Sequence, residues 1–149
     1  MKKQEIIKIL KKANLDGWGG DCGATAIAIN KVLFNNKGKY LAGINSYLYE
    51  KGYFIGHVAV EFDNSFFDSS GETTKEKVES WGQIDPLDND ISKPDRQIGE
   101  QGEKAELIYL DEFDLCVLLD IEESNIYYYT KKLNDIINPD FSSSGRALS

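Results

Sequence analysis

Apolar residues recur at Ile6, Ile7, Leu10 and Ala13 within a lysine-rich stretch, and this helical spacing predicts an amphipathic helix over residues 2–13. The segment Leu15-Asp16-Gly17-Trp18-Gly19-Gly20-Asp21 breaks the pattern, because no regular element tolerates so many glycines. Cys22 then opens a second helix running to about Phe34. Its Ala24, Ala26, Ile27, Ala28, Ile29, Val32 and Leu33 surround almost the whole circumference, as in a helix buried on every side. The small alanines allow other elements to approach closely. Asn35-Asn36-Lys37-Gly38 reads as a turn, and Ile44, Tyr47 and Leu48 predict a short helix stopped by Gly52.

From Tyr53 the period changes to two. Val58, Val60 and Phe62 point one way and His57, Ala59 and Glu61 the other, which predicts a strand. Asp63-Asn64 supplies a tight turn, and Ser65-Phe66-Phe67-Asp68-Ser69 returns as its partner. In that register Phe62 faces Ser65, Ala59 faces Asp68 and His57 faces Ser70. Residues 72–104 are polar and read as a long loop excursion, broken by a short helix that carries Val78 and Trp81 behind a Thr73–Glu76 capping box. Glu106 to Leu110 predicts a strand. Leu115-Cys116-Val117-Leu118-Leu119 is an apolar run expected to be buried, as helix or strand. A last helix over about 124–137 carries Ile126, Tyr129, Leu133, Ile136 and Ile137, and residues 141–149 read as a flexible tail. These elements predict an α+β fold in one domain over residues 1–149: a buried Cys-bearing helix near the N-terminus packed on an antiparallel sheet.

Composition narrows the function. With 41% hydrophobic and 28% charged residues the chain has the make-up of a globular domain, so its elements must share a core. A net charge of −8 with no basic cluster argues against nucleic acid and against anionic membranes as partners. The charged N-terminus is unlike an export signal, which suggests a cytoplasmic protein with Cys22 and Cys116 as free thiols. One histidine and two distant cysteines do not make a zinc site. Asp85, Asp88, Asp90 and Asp95 lack the spacing of a calcium loop, and no phosphate-cradling glycine motif occurs, so no metal or cofactor is expected.

Chemistry concentrates at Cys22. A cysteine reacts as thiolate, and the predicted helix start places unpaired amides and the positive end of the macrodipole beside it. The one histidine, His57, would act as base, and Asp68, on the same face of the predicted hairpin, would orient it. Each residue alone has a plainer reading: a small core thiol, a satisfied core histidine, a strand-end acid. Cys116 lacks such a setting and reads as core. Trp18 and Trp81 fit a substrate groove or core packing equally well.

The segments Gly19-Gly20-Asp21-Cys22-Gly23-Ala24-Thr25-Ala26, Gly56-His57-Val58-Ala59-Val60-Glu61-Phe62 and Phe66-Phe67-Asp68-Ser69-Ser70-Gly71 together resemble the core of the papain-like superfamily. The order Cys, His, Asp is most similar to its transglutaminase-like, arylamine acetyltransferase-like and small phage or bacterial peptidase-like branches. The resemblance spans about residues 15–71. It implies a cysteine-dependent hydrolase or acyltransferase acting on peptide, isopeptide or other amide bonds, with Cys22 as nucleophile, His57 as base and Asp68 as orienting acid. The papain branch carries a glutamine shortly before the cysteine to complete the oxyanion hole. Here that stretch offers Asp16, Trp18 and Asp21. Either a backbone amide or the Trp18 indole N–H takes the part, or the chain is a catalytically inactive bacterial or phage-encoded binding protein that docks a protein partner.

Overall fold

A computed structural model of the chain describes residues 1–15, 21–45, 54–80 and 106–139. The helices are α1 (Lys3–Ala13), α2 (Cys22–Leu33), α3 (Lys75–Ser80), α4 (Glu112–Leu119) and α5 (Glu123–Ile137). The strands are β1 (Lys39–Asn45), β2 (Phe54–Phe62), β3 (Ser65–Asp68), β4 (Gly71–Thr73) and β5 (Glu106–Leu110). They form one antiparallel sheet in the order β4-β3-β2-β1-β5, so the fold mixes helices with an antiparallel sheet as expected.

Helix α2 is central. Every residue from Gly23 to Asn30 is buried, which is why its sequence is apolar all round. Together with Ile6 and Leu10 of α1, Leu115 of α4 and Tyr129 and Leu133 of α5, it forms the main core against Tyr40, Ala42, Ile44, Val58, Val60 and Phe67 of the sheet. Asn30 ties the far part of α2 to the sheet: its amide donates to the Gly38 carbonyl at 3.2 Å and accepts from the Gly38 N–H at 2.8 Å. Phe34, just past the helix, stacks on Phe62 at 4.3 Å and tilts against Phe67 at 5.5 Å.

The opposite face of the sheet carries Leu41 and Ala59, covered by Val78 of α3. This contact requires glycine at position 43, since a Cβ there would lie 2.0 Å from the Val78 carbonyl oxygen. The helix backbone therefore rests directly on the strand.

Several expectations need correction. Ile44 belongs to strand β1 and not to a short helix, while Tyr47, Leu48 and Gly52 lie outside the described residues. Both faces of β1 are covered, so its residues are apolar on both sides and the period-two signal disappears. The expected 72–104 excursion begins with a strand instead, because Gly71–Thr73 pairs with β3. Thr73 is buried in that strand, and the cap of α3 is Thr74, whose hydroxyl accepts from the Lys77 N–H at 3.1 Å. The apolar run at 115–119 is helical but largely uncovered. Leu115 is buried, whereas Val117 is 62% and Leu118 43% exposed. Cys116 is half-buried at the rim of the core. The four loop aspartates, both tryptophans and the 141–149 tail lie outside the described residues.

Candidate active site

Cys22 is the first residue of α2 and is half-buried. The turn that carries it is tied back on itself: the Thr25 hydroxyl donates to the carbonyl oxygens of Asp21, at 3.1 Å, and Cys22, at 2.9 Å. The Asp21 side chain turns elsewhere. Its Oδ2 accepts a 2.5 Å hydrogen bond from the Tyr129 hydroxyl on α5.

His57 lies on β2 at an irregularity that the alternating pattern does not reveal. It pairs with Gly43 of β1, yet the next pair is Ile44 with Ile55, so Gly56 is the extra residue of a β-bulge. Before the bulge Ile55 faces the main core, and after it Val58 does, although the two are three residues apart. A bulge bends its strand and re-aims the adjoining side chain, here His57, on the strand against which α2 packs.

Asp68 closes β3, and the predicted register holds. Phe62 pairs with Ser65 and Val60 with Phe67 across a turn in which Asp63 and Asn64 adopt φ of 52° and 62°. Asparagine and aspartate tolerate this left-handed region, and two such residues make the hairpin turn that matches strand twist. The parity places Asp68 diagonal to His57, and the imidazole Nε2 donates to Asp68 Oδ2 at 2.9 Å. The other carboxylate oxygen is held by Ser70, whose N–H and hydroxyl both donate to Oδ1, at 2.9 and 2.6 Å. Gly71, with φ of 119°, turns the chain back into β4 immediately afterwards.

These contacts set the charges. Burial alone would depress the His57 pKa, but hydrogen bonding and electrostatic interaction with Asp68 and Cys22 raise it to about 9. Burial would raise the Asp68 pKa, and the donors from His57 and Ser70 outweigh it to hold the carboxyl below its usual value. The imidazole and the Asp68 carboxylate are thus joined directly, and Cys22 is among the groups whose influence raises the His57 pKa. With Nε2 committed to Asp68, Nδ1 is the ring atom through which a proton can pass to or from the sulfur.

Two roles in this arrangement escaped the sequence reading. Ser70 stands two positions after an aspartate, the spacing of an Asx turn, and that spacing was the available signal. Tyr129 is 108 residues from Asp21 and gave none. Among the described residues no group of three His, Cys, Asp or Glu side chains could hold a metal ion, and no helix is long and apolar enough to cross a membrane. No family model matches the chain, and neither the curated proteins nor the solved structures yield a match.

Proposed function

We propose that this protein is a cysteine-dependent hydrolase or acyltransferase acting on peptide, isopeptide or other amide bonds. The observation that supports it is the placement of one imidazole between the Cys22 thiol and the Asp68 carboxylate. The Cys-His-Asp order and the resemblance of residues 15–71 to the papain-like superfamily point the same way.

In this reading the Cys22 sulfur attacks the amide carbon and forms a C–S bond. His57 delivers its proton to the departing nitrogen as the C–N bond breaks, leaving a thioester. Water or an acceptor amine then attacks the thioester, His57 takes its proton, and the sulfur leaves as thiolate. Asp68 holds the ring in one tautomer and orientation throughout and stabilises the imidazolium. The backbone N–H of Cys22, at the helix start, faces the developing oxyanion.

Iodoacetamide labelling, with each thiol followed by peptide mapping, tests the proposal. Cys116 serves as internal control, since burial and the neighbouring Glu112 push its thiol pKa up. Cys22 should label far faster than Cys116 below pH 7 and lose that advantage in His57→Ala. A Cys22 no faster than a model thiol of pKa about 8.5 defeats the enzyme reading.

That outcome would favour a binding protein. One observation suits it: Phe113 and Val117, one turn apart on α4, are 74% and 62% exposed and present apolar surface to the outside.

A further inference from the structure

Aspartate at a helix N-cap ordinarily accepts from a backbone N–H of the first turn. Asp111 does so for α4: its backbone is extended, with ψ of 174°, and its carboxylate accepts from the Asp114 N–H at 2.7 Å. Asp21 occupies the same position for α2 and behaves differently. Its ψ is 4°, its side chain makes no cap, and the carboxylate is held by the Tyr129 hydroxyl at 2.5 Å. Tyr129 is 5% exposed, and Tyr128 packs edge-on against its ring at 5.2 Å, so the hydroxyl is presented from a fixed position.

The difference matters because the residue after Asp21 is Cys22. A capping carboxylate would occupy first-turn amides and set a negative charge beside the sulfur. A second negative charge disfavours the thiolate. The helix α4, which carries no such chemistry at its start, has the ordinary cap.

We infer that Tyr129 is a positioning residue of the Cys22 site, anchoring the Asp21 carboxylate so that it neither caps α2 nor places its charge beside the nucleophile. The inference rests on the reading of Cys22 as nucleophile. In it α5 contributes to the site through Tyr129 without touching substrate. Tyr129→Phe keeps the ring and its packing and removes the anchor.

The test is a double-mutant cycle on the full chain, read as the rate of Cys22 alkylation by iodoacetamide at pH 7. Tyr129→Phe should slow alkylation by at least about threefold, the scale of one added carboxylate near a partly solvated thiolate. Asp21→Asn in the Tyr129→Phe background should restore the rate to within about twofold of the parent, since the harmful charge is gone. A purely structural role for Tyr129 would not be reversed by that second change. The inference is overturned if folded Tyr129→Phe reacts at the parental rate, or if its slow rate persists in the double variant. Asp21→Asn alone supplies a check that does not depend on the tyrosine variant: it should react at least as fast as the parent, and a slower rate overturns the inference. The cycle is read as rate ratios, so an unreactive parent thiol would defeat the enzyme reading while leaving the ratios to decide the role of Tyr129.

Discussion

The Nε2 atom of His57 lies 2.9 Å from Oδ2 of Asp68, joining two neighbouring strands through residues eleven apart in the chain. The contact is largely shielded, with side-chain exposures of 17% and 11%. Both groups therefore exchange much of their water for each other, and each shifts the other's proton affinity.

Asp68→Asn should reverse the His57 shift. Burial pushes the imidazole pKa down, and the carboxylate is the first of the contacts that overcome it to reach about 9. With the charge removed, the midpoint should drop by at least about 2 units. His57 is the one histidine of the chain, so its ring resonances in an NMR titration are unambiguous. A midpoint that stays near its parental value would show that Asp68 is not the main partner.

Stability should depend on pH with a definite sign. The His57 pKa is raised from 6.5 to about 9, so its contribution is complete below 6.5 and is lost as pH rises through 9. That of Asp68 is lowered from 3.8, so its contribution is present above 3.8 and is lost as pH falls through the lower folded value. Urea denaturation should therefore show a maximum between about pH 4 and pH 6.5, with a decline of at most about 3 kcal/mol toward pH 10 from this pair. His57→Gln should flatten the alkaline decline, and an unchanged slope would assign it to other groups.

Ser70→Ala should make Asp68 easier to protonate. The serine hydroxyl donates to Oδ1 at 2.6 Å and helps to hold the carboxyl pKa down, while the backbone N–H keeps its own bond at 2.9 Å. The low-pH inflection of the His57 resonance, which reports Asp68, should rise, and Ser70→Thr should bring it back. The cost to stability should be about 1 kcal/mol. An inflection that does not move would leave Ser70 as a turn residue only.

Gly43→Ala should damage the fold on the α3 side of the sheet. The added methyl would meet the Val78 carbonyl oxygen at 2.0 Å and its carbon at 2.9 Å, and backbone cannot swing aside as a side-chain tip can. We expect a loss of about 2 kcal/mol or more in urea denaturation. His57 pairs with Gly43 across the strands, so its titration should be disturbed as well. A loss below about 0.5 kcal/mol would mean that α3 is free to move off β1.

By itself the sequence determined the local pieces. Side-chain period marked α1, α5 and the hairpin of β2 and β3, because a helix or strand buried on one side carries that period in its own residues, while an apolar run too long for a strand marked α2. The Asp63-Asn64 turn settled the hairpin parity, and parity placed Asp68 on the His57 side of the sheet. The His57–Asp68 contact was legible for that reason. Where both faces are covered, as at β1, the period vanished and the reading failed. The tertiary structure alone decided the bulge at Gly56, the cover of α3 over Gly43 and the hold of Tyr129 on Asp21. Each of these depends on how close two distant segments come, a matter of packing that no local pattern records.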